Sequence, residues 1–168
     1  MSKTEPTKWH VRFRQAAYTA AVGAAIWSLM IIVPFAPFSF LPPIIVGGGA
    51  GAWFALGYVL YIAAGFGSTA ALSALLYQVE LGEGKRVSGA LAGPGLVLLY
   101  AGVTSSSLLL ATAGYAGGYA RSIQHMPDQA IEAMLLPYVN PVSVGVMMAV
   151  VGALLTIAAM ATASRPKT

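Results

Sequence analysis

The spacing of the charged side chains constrains this sequence more than any other feature. Nine basic and five acidic residues fall in four short stretches, which leave three uncharged segments: 15–79, 87–120 and 133–164. About 20 helical residues cross the hydrocarbon core of a bilayer, which is about 30 Å thick. Each uncharged segment is therefore long enough to span a membrane. The sequence predicts an integral membrane protein.

The composition points to the same solvent. Only 8% of the residues are charged and 58% are apolar, whereas a soluble domain carries about 25% charged residues. So few charges cannot solvate a globule of this size, which excludes a soluble enzyme, a nucleic-acid-binding module and a disordered chain. The absence of cysteine excludes disulfides and thiolate metal sites. We expect a lipid bilayer around this chain and no nucleic-acid partner.

The first uncharged segment is long enough for two helices, and prolines mark the break between them. Pro34, Pro37, Pro42 and Pro43 each lack a backbone donor, and a run of glycines over 47–49 follows them. The sequence thus predicts one all-α transmembrane domain over 1–168, a four-helix bundle. We place its four spans at about 16–33, 49–78, 91–119 and 140–163.

A further short helix is predicted at the membrane surface, over 126–136. Pro127 and Asp128 suit the first turn of a helix, and Ile131, Met134 and Leu135 recur at helical spacing. This pattern is typical of an amphipathic helix that lies in the interface.

The topology follows from the distribution of lysine and arginine. With four spans, the N-terminus, the loop over 80–90 and the C-terminus share one side. They carry eight of the nine basic residues, and only Arg121 lies on the other side. Because cytoplasmic loops are enriched in lysine and arginine, we predict a multi-pass protein of the cell membrane with both termini in the cytoplasm. The first span is longer than the 7–15 apolar residues of a signal peptide, so we expect it to be a retained anchor.

Small residues are expected to bring the helices together, because lipid tails are as apolar as leucine and give no advantage to burying leucine. The alternative is that such residues are simply common in membrane helices. Two glycine pairs have GxxxG spacing, and a face of small residues follows on the fourth span: Gly47 and Gly51, Gly114 and Gly118, and Gly145, Ala149 and Gly152.

The loop between the first two spans carries no charge, which is unusual for a segment that faces water. It covers 34–45 and contains Phe35, Phe38 and Phe40. Aromatic residues of this kind anchor a loop at the headgroup level, or they are covered by a partner protein. We predict a partner interface made of these three phenylalanines and the two GxxxG pairs.

A run of hydroxyl side chains over 104–107 lies within the third predicted span. Such side chains bond back to carbonyls of their own helix, bond to a neighbouring helix, or line a path for water or a small solute. The residues alone leave these three interpretations open.

No aspartate, glutamate, lysine, arginine or histidine lies inside any predicted span, although proton relays, ion pathways and voltage sensors depend on such residues. The only two histidines, His10 and His125, are predicted on opposite faces, and we expect both to be solvated rather than metal ligands. The sequence contains no P-loop, dinucleotide fingerprint or HExxH motif. We therefore expect no catalytic residue, metal or cofactor in this chain alone. His125, Tyr138 and Asn140 form a candidate interfacial polar cluster.

Three segments resemble helices of a known family. They are the stretch from Trp53-Phe54-Ala55-Leu56-Gly57-Tyr58 to Tyr77, the glycine-rich helix Ala113-Gly114-Tyr115-Ala116-Gly117-Gly118-Tyr119-Ala120-Arg121, and Pro137-Tyr138-Val139-Asn140-Pro141-Val142-Ser143-Val144-Gly145. Together they resemble the catalytic subunit I of haem–copper oxidases, of the cbb3 or nitric-oxide-reductase branch. That subunit holds its haems and copper with histidines inside the membrane. None is present in these segments, so the resemblance implies a histidine-free relative.

The function expected from the residues and the resemblance is structural. The chain is predicted to be a non-catalytic accessory subunit of a respiratory or other redox complex in the membrane, where it packs against larger subunits and stabilises them. One alternative is a small channel or facilitator for a neutral solute, lined by the hydroxyl run. Another is a cofactor-insertion or assembly factor that acts through the interfacial polar cluster.

Overall fold

Four long helices make up most of the chain. The computed structural model describes residues 8–33, 41–46 and 48–165. Four helices in these ranges are long and apolar enough to cross a membrane, and the described residues contain no β-strand. The predicted all-α fold with four helices of spanning length is confirmed. We number the helices α1 (Trp9–Ile32), α2 (Leu41–Val46), α3 (Gly49–Gly82), α4 (Gly89–Ser122) and α5 (Asp128–Ala161).

The long helices extend beyond the predicted spans at their charged ends. α3, α4 and α5 have 34 residues each, which corresponds to about 51 Å at 1.5 Å per residue. The hydrocarbon core of a bilayer is about 30 Å thick, so in a bilayer helices of this length would tilt or project from the core. α1 begins at Trp9, seven residues before the predicted start at 16, and it therefore includes Arg12 and Arg14.

The predicted loop over 34–45 is partly helical. Its residues 34–40, and with them Phe35, Phe38 and Phe40, lie outside the described residues. From Leu41 the chain forms α2. Pro42 and Pro43 are compatible with this short helix because the amides of a first turn have no helical acceptor in any case.

The predicted surface helix and the predicted fourth span are one helix. α5 runs without a break from Asp128 to Ala161 and contains Pro137 and Pro141. The prediction that 126–136 forms a separate short helix was therefore wrong. That this part of α5 lies at the membrane interface stays a prediction. Each proline removes one hydrogen bond of the helix, a loss that helices in membranes tolerate when neighbouring groups satisfy the freed carbonyls.

The four long helices lie in an open row in the order α1, α3, α4, α5. α4 packs against both α3 and α5, α5 makes its extensive contact with α4 alone, and α1 packs mainly along α3. α1 buries a narrow stripe that includes Phe13, Ala17, Ala20 and Ala24. The row leaves large apolar surfaces on α1 and α5 uncovered, which lipid or another protein has to cover.

One end of the row gathers three segments that are distant in the sequence. The start of α1 bonds to Glu80 near the end of α3. Arg86, in the loop before α4, pairs with Ser164 after α5 through two backbone hydrogen bonds. We call this end, which includes Lys8, Arg12, Arg14, Lys85, Arg86 and Arg165, the basic end. Within the described residues these segments lie at one end of the helices, and the side of a membrane that this end faces stays a prediction.

Candidate functional site

The glycines predicted at a partner interface lie at contacts within the chain. Gly47 is outside the described residues. A side chain at Gly114 would collide with the backbone of Phe54, and one at Gly118 would collide with Ile44. Gly51 faces the carbonyl of Ile44 in the same way. The structure thus uses these three glycines to pack α2, α3 and α4 against one another rather than to present a surface to a partner.

The small-residue face predicted on the fourth span packs against α4. A methyl carbon added at Gly145 would lie 3.0 Å from the carbonyl oxygen of Gly102. One added at Gly152 would lie 2.6 Å from the carbonyl oxygen of Gly95. Ala149 is buried in the same face. These contacts join backbone to backbone, so neither helix can move aside for a larger side chain. The prediction that small residues bring the helices together is confirmed at this interface.

The predicted polar cluster does not converge. His125 is exposed and adopts a left-handed backbone conformation, with φ 54°, in the turn before α5. Tyr138 is partly buried against Leu135 and its neighbours. Asn140 is exposed two residues further along α5, hence about 200° around the helix from Tyr138. Within the described residues no hydrogen bond links any two of the three.

The hydroxyl run over 104–107 is engaged mainly in packing. Ser105 donates to the Gly102 carbonyl of its own helix at 3.1 Å, and Ser106 donates to the Val142 carbonyl of α5 at 3.1 Å. The hydroxyl oxygens of Thr104 and Ser107 are buried without a hydrogen-bond partner among the described residues. Two of the three interpretations of this run, bonding within the helix and bonding to a neighbour, are therefore both realised.

The most ordered polar arrangement is a buried pair at the basic end, His10 and Glu80. The Nδ1 atom of His10 lies 2.6 Å from Oε2 of Glu80, and the two side chains are only 7% and 10% exposed. The expectation that His10 is solvated was therefore wrong. Its partner is 70 residues away in the sequence, so no local pattern could reveal the pair.

Glu80 also caps α1. Its two carboxylate oxygens accept hydrogen bonds from the backbone amides of Trp9, at 3.0 Å, and His10, at 3.1 Å. Amides in the first turn of a helix lack acceptors within the helix, and a carboxylate there is also favoured by the helix dipole. Ser73 of α3 adds a hydrogen bond to the carbonyl of His10 at 2.9 Å. Three bonds to one carboxylate fix the start of α1 on α3.

Aromatic rings lie beside this pair and on the neighbouring Trp9. The ring of Tyr77 packs edge-on against His10 with centroids 5.5 Å apart. Trp9 is buried against Gly89 and Gly93 of α4, and the guanidinium of Arg12 stacks over its ring at 4.8 Å. Arg12 thus has a cation–π partner in its own helix.

An open groove of about 500 Å³ runs between α1 and α3 beside the pair. It is polar at the basic end and apolar further along the helices. From α1 it is lined by His10, Arg14, Ala17 and Tyr18, and from α3 by Phe66, Ala70, Ser73, Ala74, Tyr77 and Gln78. We call it the α1–α3 groove.

Two other concave sites are present in the described part of the chain. One, of about 530 Å³, lies at the end opposite the basic end and contains Arg121 and Asp128, which approach to 3.5 Å and are largely exposed. The other, of about 190 Å³, is an apolar groove between α3 and α5 with α4 as its floor. We call this apolar groove the α3–α5 groove. Among the described residues no group of three potential metal ligands is found.

Comparisons with protein-family models, with curated proteins and with solved structures found no match to this chain.

Proposed function

We propose that this chain is a non-catalytic structural subunit of a membrane complex, which packs sideways against larger membrane subunits and stabilises them. In this proposal the chain is a multi-pass protein of the cell membrane with its basic end in the cytoplasm, since six of the seven lysines and arginines among the described residues lie at that end. It binds no cofactor by itself. The complex is a respiratory or other redox assembly, an assignment that rests on the resemblance to oxidase subunit I.

The open row of helices is the observation that carries this proposal. α5 has one extensive neighbour, α4, and its opposite faces carry exposed valine, leucine and isoleucine side chains. The α3–α5 groove beside it is lined by small and medium apolar residues, among them Ala64, Ala149 and Ala153. Such a surface lets a helix of another subunit approach closely, as small residues do in membranes.

The two alternatives receive less support from the geometry. A solute path along the hydroxyl run is disfavoured because Ser106 is fully buried and bonded to α5, and backbone contacts close the gap between α4 and α5. A cofactor-insertion role at His125 is disfavoured because Tyr138 and Asn140 do not join it.

A matched pair of variants on α5 tests the proposal. Val150 lines the α3–α5 groove and is 53% exposed, whereas the next residue, Val151, is 44% exposed and lies outside the groove. We expect the tagged wild-type chain, purified from its native membrane in a mild detergent, to carry larger membrane subunits in fixed stoichiometry. Val150→Trp should remove them and Val151→Trp should retain them, as measured by native mass spectrometry.

The same preparation separates the parts of the proposal. Recovery of the wild-type chain only as a free monomer would contradict a subunit role. Stoichiometric partners that carry no haem, flavin, iron–sulfur or copper centre would keep the structural role and remove the redox assignment. Equal loss of the partners in both variants would show that the groove is not the contact surface.

A further inference from the structure

The α1–α3 groove has the shape and polarity of a site for an amphiphile. Phe66 and Gln78, at its two ends, are 12 positions apart on α3, which corresponds to about 18 Å along a helix. This length is slightly more than one leaflet of a bilayer whose core measures about 30 Å. Its volume of about 500 Å³ falls in the range of ligand-binding clefts in proteins. The groove is open on its outer side, where Tyr18 and Ala74 are exposed.

The lining residues come from one face of each helix. His10, Arg14, Ala17 and Tyr18 recur at intervals of three and four on α1, and Phe66, Ala70, Ala74 and Tyr77 do the same on α3. Ala17, Ala70 and Ala74 are too small to fill the space between the helices. The groove is thus apolar along these alanines and becomes polar towards the basic end.

The charged side chains in and beside the groove determine which head group of an amphiphile it can bind. The carboxylate of Glu80 is already hydrogen-bonded to His10 and to the backbone amide of Trp9. Ser73 is bonded to the His10 carbonyl. Among the residues that line the groove, Arg14 is the one arginine, and no lysine, aspartate or glutamate lines it. Arg14 is exposed, and no ion pair joins it to another described residue. A guanidinium at the mouth of an apolar channel suits a phosphate, to which arginine donates two parallel hydrogen bonds.

We propose that the α1–α3 groove binds one anionic phospholipid of the leaflet at the basic end. Its phosphate lies against Arg14, with Gln78 at the edge of the head group, and one acyl chain lies along Ala17, Ala70 and Ala74. Anionic lipids are concentrated in cytoplasmic leaflets, the side on which we place the basic end. This site does not depend on the proposed role as a subunit, because it lies on the far side of α3 from the α3–α5 groove.

The test uses the purified, delipidated full-length chain in a neutral detergent. Palmitoyl-oleoyl phosphatidylglycerol and palmitoyl-oleoyl phosphatidylcholine are titrated separately, and bound lipid is counted by native mass spectrometry. We expect one phosphatidylglycerol to bind more tightly than phosphatidylcholine by about 5-fold, the ratio expected from about 1 kcal/mol per basic residue near an anionic lipid surface. Equal affinity of the wild-type chain for the two lipids would overturn the proposal without any variant.

Two matched pairs of variants locate the site. Arg14→Gln should abolish the preference for phosphatidylglycerol, whereas Arg12→Gln, on the arginine that stacks over Trp9, should keep it. Ala70→Trp should fill the groove and reduce the binding of both lipids, whereas Ala71→Trp, one residue along and outside the groove, should not. Arg14→Lys should retain most of the preference, which checks that Arg14→Gln acts through charge rather than through misfolding.

Inorganic phosphate distinguishes a lipid site from a phosphate site. If phosphate displaces phosphatidylglycerol and Ala70→Trp leaves lipid binding unchanged, the groove does not hold the acyl chain and the lipid assignment fails. If Arg12→Gln removes the preference as completely as Arg14→Gln does, the preference reflects the overall basic charge and the site assignment fails.

Discussion

The two outer helices of the row are attached to its centre in different ways. α5 meets α4 through backbone contacts at Gly95, Gly102, Gly145 and Gly152. α1 meets α3 through large rings and polar bonds. Trp27 contacts the rings of Phe54, Tyr58 and Tyr61 at centroid distances of 5.7, 6.0 and 5.8 Å, and the His10–Glu80 pair joins the helices at the basic end.

This difference explains why a groove opens at one interface and not at the other. Rings at both ends of the α1–α3 contact set the spacing of the helices, so Ala17, Ala70 and Ala74 between them cannot close the gap. At the α4–α5 contact, small residues face small residues at the same level, so the backbones meet. Small residues on both helices at the same height thus let the backbones of α4 and α5 approach closely.

The largest expected effect comes from a side chain placed between α4 and α5. A carbon added at Gly102 meets the Gly145 carbonyl and the Ala149 amide, which belong to the backbone and cannot turn away. We expect Gly102→Val to lower the free energy of unfolding by about 3 kcal/mol, the upper part of the range for overpacked cores. Circular dichroism during a titration with a denaturing detergent measures this change.

Gly82 supplies the control for that variant. Nothing lies within 4 Å of a carbon added at this glycine, so Gly82→Val should change the free energy of unfolding by less than about 0.5 kcal/mol. Equal destabilisation by the two variants would mean that glycine acts through helix propensity rather than through close contact.

The next effect concerns the polar attachment of α1. Glu80→Ala removes the acceptor of three hydrogen bonds. We expect a loss of about 2 kcal/mol, less than the 3–5 kcal/mol of fully buried pairs because the site is at the end of the helices. Hydrogen exchange should rise in the first turns of α1 and stay unchanged in α5. Glu83→Ala, which removes an exposed pair with Lys85, should have an effect of less than about 1 kcal/mol; exchange that rises equally in both variants would contradict a specific cap.

The sequence allowed the four helices to be predicted because their apolar length is a property of each segment by itself. It placed the start of α1 too late. The predicted span was confined to an uncharged segment. Arg12 and Arg14 nevertheless belong to α1, whose first amides are capped by Glu80 of α3. Because this cap comes from a residue 71 positions away, the residues around Trp9 do not reveal it.

The candidate sites depended on contacts that no single segment contains. The spacing of Gly114 and Gly118 correctly indicated close packing, but it could not indicate that the opposing surface is the chain's own α2 and α3. For His10 the hydropathy pattern favoured solvation, and the carboxylate that buries it lies on another helix. The α1–α3 groove likewise needs the registers of two helices, so its polar and apolar ends could not be recognised in either sequence alone.

The smallest expected effect asks whether the hydrogen bond from Ser106 to α5 adds to the backbone packing of α4 on α5. Ser106 donates to the Val142 carbonyl of α5, whereas its neighbour Ser105 donates within α4. Ser106→Ala should lower the free energy of unfolding by about 0.6 kcal/mol, the mean for such bonds in a membrane protein, and Ser105→Ala should leave it nearly unchanged. A loss of 2 kcal/mol or more at Ser106 would contradict this order, because the hydroxyl, and not glycine packing, would then hold α5 in place. The contrast between the two outer helices would in that case be one of degree, with a polar bond fixing each of them to its neighbour.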